Sequence, residues 1–166
     1  MSASEGLPGD ARALVLTVSD RSHGGLRHDE SGPLLADLLR GLGFTVGDVE
    51  VVADDRDRIV AALRAAVAAD LDLVVTTGGT GLAPRDVTPE ATLAVVDRQA
   101  PGLAEALRQH NRAAVPTTIL SRAVAGMAGR TLVVNLPGSP SAVRDGVQVL
   151  TPVVGHAVAQ LRGGDH

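Results

Sequence analysis

The stretch TTGGTG (76–81) closes an apolar run and is followed at once by LAPRDVTPE (82–90). Clustered glycines let successive backbone N–H groups converge on an anion with no side chain in the way. Thr76, Thr77 and Thr80 add hydroxyl donors, and Arg85 adds a planar guanidinium that matches phosphate oxygens. The pattern is neither the Gly-Lys-Ser/Thr phosphate loop nor Gly-x-Gly-x-x-Gly. An ordinary tight turn explains Gly78, Gly79 and Gly81 equally well on their own. The threonines and Arg85 turn the reading towards phosphate binding.

Asp86 has two readings. Its carboxylate either complements the dipole of a helix starting near Thr88 or holds a divalent cation beside bound phosphate. A second carboxylate is available in VVADDRD (51–57), where Asp54 and Asp55 end a strand-like run. Either one alone reads as a solvated loop residue, and the pair beside one anion loop suits Mg²⁺. Other polar residues fall at similar places: Ser19 and Asp20 in TVSDRS, Asp29 and Ser31 in HDESGP, and Ser139 in NLPGSP, where capping a helix is explanation enough. The histidines at 23, 28, 110, 156 and 166 lack metal-ligand spacing. No Gly-x-Ser-x-Gly elbow supports serine hydrolysis.

Positioning these residues requires a scaffold. Short β-branched runs at 13–18, 49–53 and 71–77 read as strands, and 131–138 as a strand followed by a turn. Between them, 31–42 carries leucines at helical spacing with Pro33 in the first turn and Gly43 placed to end it. Ser31 is its expected N-cap. Residues 57–69 put Ile59, Val60, Leu63 and Val67 on one face. Thr88 is the expected cap of a further helix with Pro89 at its first position. Helices are also expected at 101–112, at 120–129 and from 139 onwards, with Pro152 bending or splitting the last. Apolar strands alternating with helices predict an α/β fold of three layers, α/β/α, around a mostly parallel sheet. Ligands of such sheets sit beyond the carboxyl ends of the strands, where all the polar motifs fall.

The bulk properties narrow the function. A chain of 166 residues with 45% hydrophobic content supports a single domain, expected over 13–162 behind a flexible tail over 1–12. A net charge of -4 argues against nucleic acid as partner. All 15 basic residues are arginine, so mechanisms needing a lysine are excluded. With no cysteine there is no thiolate nucleophile and no disulfide. No signal peptide and no membrane-length apolar run is evident, which leads us to expect a cytoplasmic protein. The single aromatic residue, Phe44, means that a ring-shaped ligand is gripped by hydrogen bonds and aliphatic walls.

Taken in order, TVSDR (17–21), DESGP (29–33), TTGGTG with PRDVTPEAT (84–92), LSRAVAG (120–126) and VVNLPGSP (133–140) resemble the MoaB/Mog family of molybdenum cofactor biosynthesis proteins. The same domain forms the molybdopterin-adenylating part of gephyrin. The resemblance runs from about Ala13 to Leu161. It implies transfer of AMP from Mg-ATP to the terminal phosphate of molybdopterin by a trimer or hexamer, in the cytoplasm. A downstream molybdenum-insertion protein is an implied partner. It places the catalytic and metal-binding carboxylates on Asp54 and Asp86, with Asp55 the alternative to Asp54. Phosphate or nucleotide binding falls on Thr77, Gly78, Gly79, Thr80, Gly81 and Arg85, and pterin binding on Ser19, Asp20 and Ser139. A non-catalytic pterin carrier is the alternative within the family, and a generic nucleotide-binding domain the alternative outside it.

Overall fold

Strand β1, Arg12–Val18, alternates its side chains between two apolar environments, and this alternation organises the molecule. Described over residues 6–164 in a computed structural model, the chain continues through α1 (Asp20–His23), α2 (Ser31–Leu42), β2 (Thr45–Val46), β3 (Glu50–Val52), α3 (Arg56–Ala68) and β4 (Leu73–Thr77). Then come α4 (Thr88–Leu93), β5 (Arg98–Gln99), α5 (Pro101–Gln109), a 3₁₀ turn (Pro116–Leu120), β6 (Ala125–Ala128), β7 (Thr131–Leu136), α6 (Pro140–Leu150) and α7 (Val154–Leu161).

The sheet runs β2-β1-β4-β7-β6-β5, with β3 also pairing β1. β1, β2, β3, β4 and β7 are parallel, whereas β6 and β5 are antiparallel additions at one side. Ala13, Val15, Leu73, Val75, Leu132 and Val134 face one layer, packing with Leu35 and Leu39 of α2, Val143 and Val147 of α6, and Val158 of α7. Leu16, Val18, Val74 and Val133 face the other, against Ile59, Leu63 and Ala66 of α3 and Ala91 of α4. Period-two alternation with both sets apolar requires helices on both faces, so the expected three layers are found.

Several local expectations change. The helix expected over 120–129 is instead a 3₁₀ end, an extended link and β6, whose backbone groups pair with β7. Ser31 does not cap α2: Asp29 Oδ1 accepts the Gly32 N–H at 3.0 Å, while Ser31 Oγ donates to the Gly138 carbonyl at 2.6 Å. Thr88 lies inside α4, with its hydroxyl turned to Gly78 rather than capping. Gly43 ends α2 at φ 111°, and the break at Pro152 separates α6 from α7. Of the expected tail, residues 1–5 lie outside the described residues. Leu7 packs on the core, Ala11 is fully buried, and Asp10 pairs with Arg162. His166 also lies outside the described residues.

Candidate active site

β1, β3, β4 and β7 all end at the same edge, and the loops that leave them meet there. At the centre, Gly78 adopts φ 103°, and a Cβ there would stand 2.3 Å from the Val18 carbonyl oxygen. Gly79 follows at φ 68°, where a Cβ would meet Thr88 Oγ1 at 2.3 Å. Glycine is required at both positions by conformation and by space.

The loop is fastened from below. Gly78 N–H donates to the Leu136 carbonyl at 3.0 Å, and Thr77 Oγ1 to the Pro137 carbonyl at 2.9 Å. Thr88 Oγ1 donates to the Gly78 carbonyl, and its N–H to that of Gly79. Thr76 is buried beneath the loop and accepts a hydrogen bond from Asn135 Nδ2. Thr76, Thr77 and the Gly78 N–H, expected as donors to an anion, therefore hold the loop instead. No hydrogen bond among the described residues occupies the N–H groups of Gly79, Thr80 and Gly81, which are left to donate to an anion.

Three aspartates stand beside this loop. Asp20 and Asp54 are interlocked, each accepting the other's backbone N–H. Asp86 Oδ2 accepts the Ala83 N–H at 3.1 Å and lies 2.8 Å from where a Cβ of Gly81 would stand. Partial burial pushes the Asp54 carboxyl above the usual carboxylate range. The hydrogen bond from Asp20 opposes this, the charges of Asp20 and Asp86 add to it, and Arg85 offsets part. Asp55 is accounted for otherwise, because its Oδ1 caps α3 through the Arg58 N–H. Of the two neighbours, Asp54 lines a cavity together with Asp86 and Asp55 does not.

Three cavities surround the loop. One of about 220 Å³ is lined by three aspartates, Asp20, Asp54 and Asp86, and three arginines, Arg21, Arg27 and Arg85, with Ser19 and Gly79. A narrow one of about 110 Å³ lies between Gly78, Gly138 and the start of α2. The third, about 470 Å³, is lined by Thr80, Gly81 and Ser139 together with aliphatic Leu82, Val115 and Leu120. Ser19 and Asp20 therefore share a cavity with Asp54 and Asp86, while Ser139 belongs to a different one. Ser139 also caps α6 by accepting the Ala142 N–H at 3.1 Å. Arg85 makes no hydrogen bond or ion pair among the described residues, so its guanidinium is free to meet a ligand.

Two further residues shape the site: Asp29, already noted in HDESGP, and Arg122, which the sequence does not mark out. Asp29 accepts from Thr17 Oγ1 at 2.8 Å and braces the narrow cavity. Arg122, within LSRAVAG, donates to the carbonyls of Gly81 and Asp86 and to Glu90. Its motif is visible in the sequence, but its partners are 32 to 41 residues away and no local pattern names them.

Residues 14–156 match the family described as probable molybdopterin binding domain. A Helicobacter pylori protein named molybdopterin adenylyltransferase is 41% identical over 155 residues, covering 90% of this chain and 86% of that one. A Synechococcus elongatus protein named molybdenum cofactor biosynthesis bifunctional protein is 43% identical over 93% of this chain. The chain spans about half of that relative, 48% of its length. Among solved structures, a molybdopterin biosynthesis protein from Mycobacterium abscessus superposes with a TM-score of 0.88 at 50% identity, covering 93% of this chain and 97% of that one. The chain belongs to this molybdopterin-binding domain family.

Proposed function

We propose that this family member is a molybdopterin adenylyltransferase, joining AMP from ATP to the terminal phosphate of molybdopterin and releasing pyrophosphate. The observation that carries the reading is one cavity shared by Asp20, Asp54 and Asp86, Gly79 of the glycine loop and the unpaired Arg85, with Thr80 and Gly81 of the same loop lining the large cavity.

In the reaction, an oxygen of the pterin phosphate forms a bond to the α-phosphorus of ATP, and the bond from that phosphorus to the bridging oxygen breaks. The attacking monoester is already largely ionised near neutral pH, with a second pKa of about 6, so no strong base is needed. The obstacle is gathering anions, and positioning with charge neutralisation is what overcomes it. The N–H groups of Gly79, Thr80 and Gly81 and the Arg85 guanidinium bind and orient the phosphates. The large cavity, with aliphatic walls and the Ser139 hydroxyl, accepts the pterin ring without aromatic stacking.

The donor set also fits Mg²⁺, which takes one or two carboxylates together with substrate phosphates. Asp54 and Asp86 each use one oxygen in a backbone hydrogen bond, leaving Oδ1 of each free as a hard ligand. No group of three or more metal-ligating side chains occurs among the described residues, consistent with a cation completed by substrate. When bound, the ion would neutralise phosphate charge and relieve the mutual repulsion of the aspartates. We extend the reading to a homo-oligomer, supported by exposed apolar side chains outside the large cavity, Leu26, Leu93, Ile119 and Val153. No helix among the described residues is long and apolar enough to cross a membrane.

The test combines the protein with molybdopterin, ATP and Mg²⁺ and follows adenylylated pterin and pyrophosphate. Product is expected with the wild type and at least about 100-fold less with Asp86→Asn. Pterin binding without product would leave a carrier instead.

A further inference from the structure

We propose that Arg122 is the positioning residue of this site, tying the glycine loop to Asp86 so that both keep one relative geometry. The proposal rests on the adenylyl-transfer reading for its kinetic consequences only.

Four bonds carry it. The Arg122 backbone N–H donates to the Thr80 carbonyl at 2.8 Å. Its Nε donates to the Gly81 carbonyl at 2.9 Å and its Nη2 to the Asp86 carbonyl at 2.6 Å. Its Nη1 meets the Glu90 carboxylate in the first turn of α4. One side chain thus closes Gly81 through Glu90 into a fastened ring, joining two groups that no secondary-structure ladder connects. The guanidinium fork suits this, because its donors diverge in one rigid plane and reach three acceptors at once. A lysine ammonium is a point charge on a flexible stem and cannot reproduce that span.

Arg122 is not placed to grip substrate. It does not line the cavity of Asp54 and Asp86, where Arg85 stands free, and its guanidinium is engaged by protein acceptors. Glu90, which partners it, is itself held below its usual carboxylate range. Partial burial pushes Glu90 up, and the hydrogen bond from Arg122, that from its own backbone N–H and the Arg122 charge together outweigh it. Arg122 therefore acts through Gly81 and Asp86. Small displacements in such an assembly are expensive, since a shift of about 1 Å at a reacting centre is enough to lose about 100-fold in rate.

The experiment compares wild type with Arg122→Gln, Arg122→Lys and Glu90→Gln. Hydrogen–deuterium exchange over residues 79–90 of the ligand-free protein is one readout, and steady-state kinetics with varied ATP and Mg²⁺ is the other. Arg122→Gln is expected to speed exchange in that segment, with the strands unchanged. It should also lower kcat by about 10- to 100-fold and raise the Mg²⁺ concentration for half-maximal rate, with KM for ATP within about threefold. Arg122→Lys should fail to rescue, and Glu90→Gln, which keeps an acceptor, should fall between. Unchanged exchange over 79–90 in Arg122→Gln would overturn the proposal. So would a normal kcat and Mg²⁺ response with only a lowered Tm, or a raised KM for ATP alone. If the wild type forms no adenylylated pterin, the proposed reaction fails while the exchange comparison still decides the role of Arg122.

Discussion

Asp20 and Asp54 hold each other by a pair of reciprocal bonds: Asp20 N–H to Asp54 Oδ2 at 3.0 Å, and Asp54 N–H to Asp20 Oδ1 at 2.8 Å. The arrangement pins the ends of β1 and β3 together and sets two carboxylates side by side. Orientation is gained from the bonds, and repulsion is accepted with it.

Replacing Asp54 by asparagine should therefore separate stability from function. The amide side chain keeps an oxygen for the Asp20 N–H and loses the charge. Because the folded-state pKa of Asp54 is raised, its ionised form is disfavoured by folding, and metal-free protein loses stability as pH rises through that range. Asp54→Asn should be slightly more stable than wild type at pH 7 in chelator, by under about 1 kcal/mol after solvent screening. Its adenylyl transfer should nonetheless fall by about 100-fold or more. Thermal melts and initial rates on the same preparation check both halves.

Gly78→Ala should destabilise the fold by roughly 2 kcal/mol or more. The residue sits at φ 103°, and the new methyl would press on the Val18 carbonyl, which is backbone of a central strand and cannot swing aside. Gly102→Ala, where a Cβ meets nothing within 4 Å, is the matched control and should be neutral or slightly stabilising. Urea unfolding of the two variants beside wild type measures the difference.

Much of this architecture was legible because it is periodic. β1, β3, β4 and β7 declared themselves by β-branched apolar runs, α2 and α3 by leucine and isoleucine spacing, and the site by the carboxyl-end rule that put Asp20, Asp54 and Asp86 at one edge. The two-residue strands β2 and β5 are too short to carry a pattern. Residues 120–129 were misread because their alanines and glycines carry no period of their own. They become β6 only by borrowing hydrogen-bond partners from β7. Ser31 and Thr88 have cap chemistry at cap-like positions, yet their hydroxyls bond to Gly138 and Gly78 across the fold. Arg122 was silent for the same reason: its acceptors are carbonyls brought close only by the completed sheet. What the sequence hides is long-range pairing, not local preference.

Asn135 shows how the floor of the site is built, and substituting it should be costly. Fully buried in β7, it donates from Nδ2 to Thr76 Oγ1 at 3.0 Å and Thr92 Oγ1 at 2.9 Å, and accepts the Val124 N–H at 3.1 Å. Asn135→Leu should destabilise by about 2–4 kcal/mol, since it strands several buried polar groups at once. If the network also holds the loop above it, exchange protection at residues 77–80 should fall further than the global stability change accounts for. Amide exchange of the variant, normalised to its unfolding free energy, checks this.

The far end of the sheet supplies a prediction on pH. Asp72, buried, receives Arg162 Nε at 2.7 Å and Nη2 at 2.8 Å and the Arg12 N–H at 2.8 Å, fastening the end of α7 to the start of β4. Burial alone would push its carboxyl up, but the bonds and charge of Arg162, with Arg12, outweigh it and leave Asp72 below its ordinary value. A depressed folded-state pKa means the contribution is fully present above the unfolded value and is lost as pH falls through the folded one. Asp72→Asn should therefore cost about 2–4 kcal/mol at pH 7, because it leaves the partly buried Arg162 guanidinium without its main counter-charge. The difference between variant and wild type should shrink as pH drops below about 4, where the unfolded chain begins to protonate Asp72 and the folded protein follows at lower pH. Urea midpoints from pH 7 down to pH 3 trace it. A gap that stays constant over that range would mean the ionised Asp72 contributes nothing beyond its hydrogen-bonding shape.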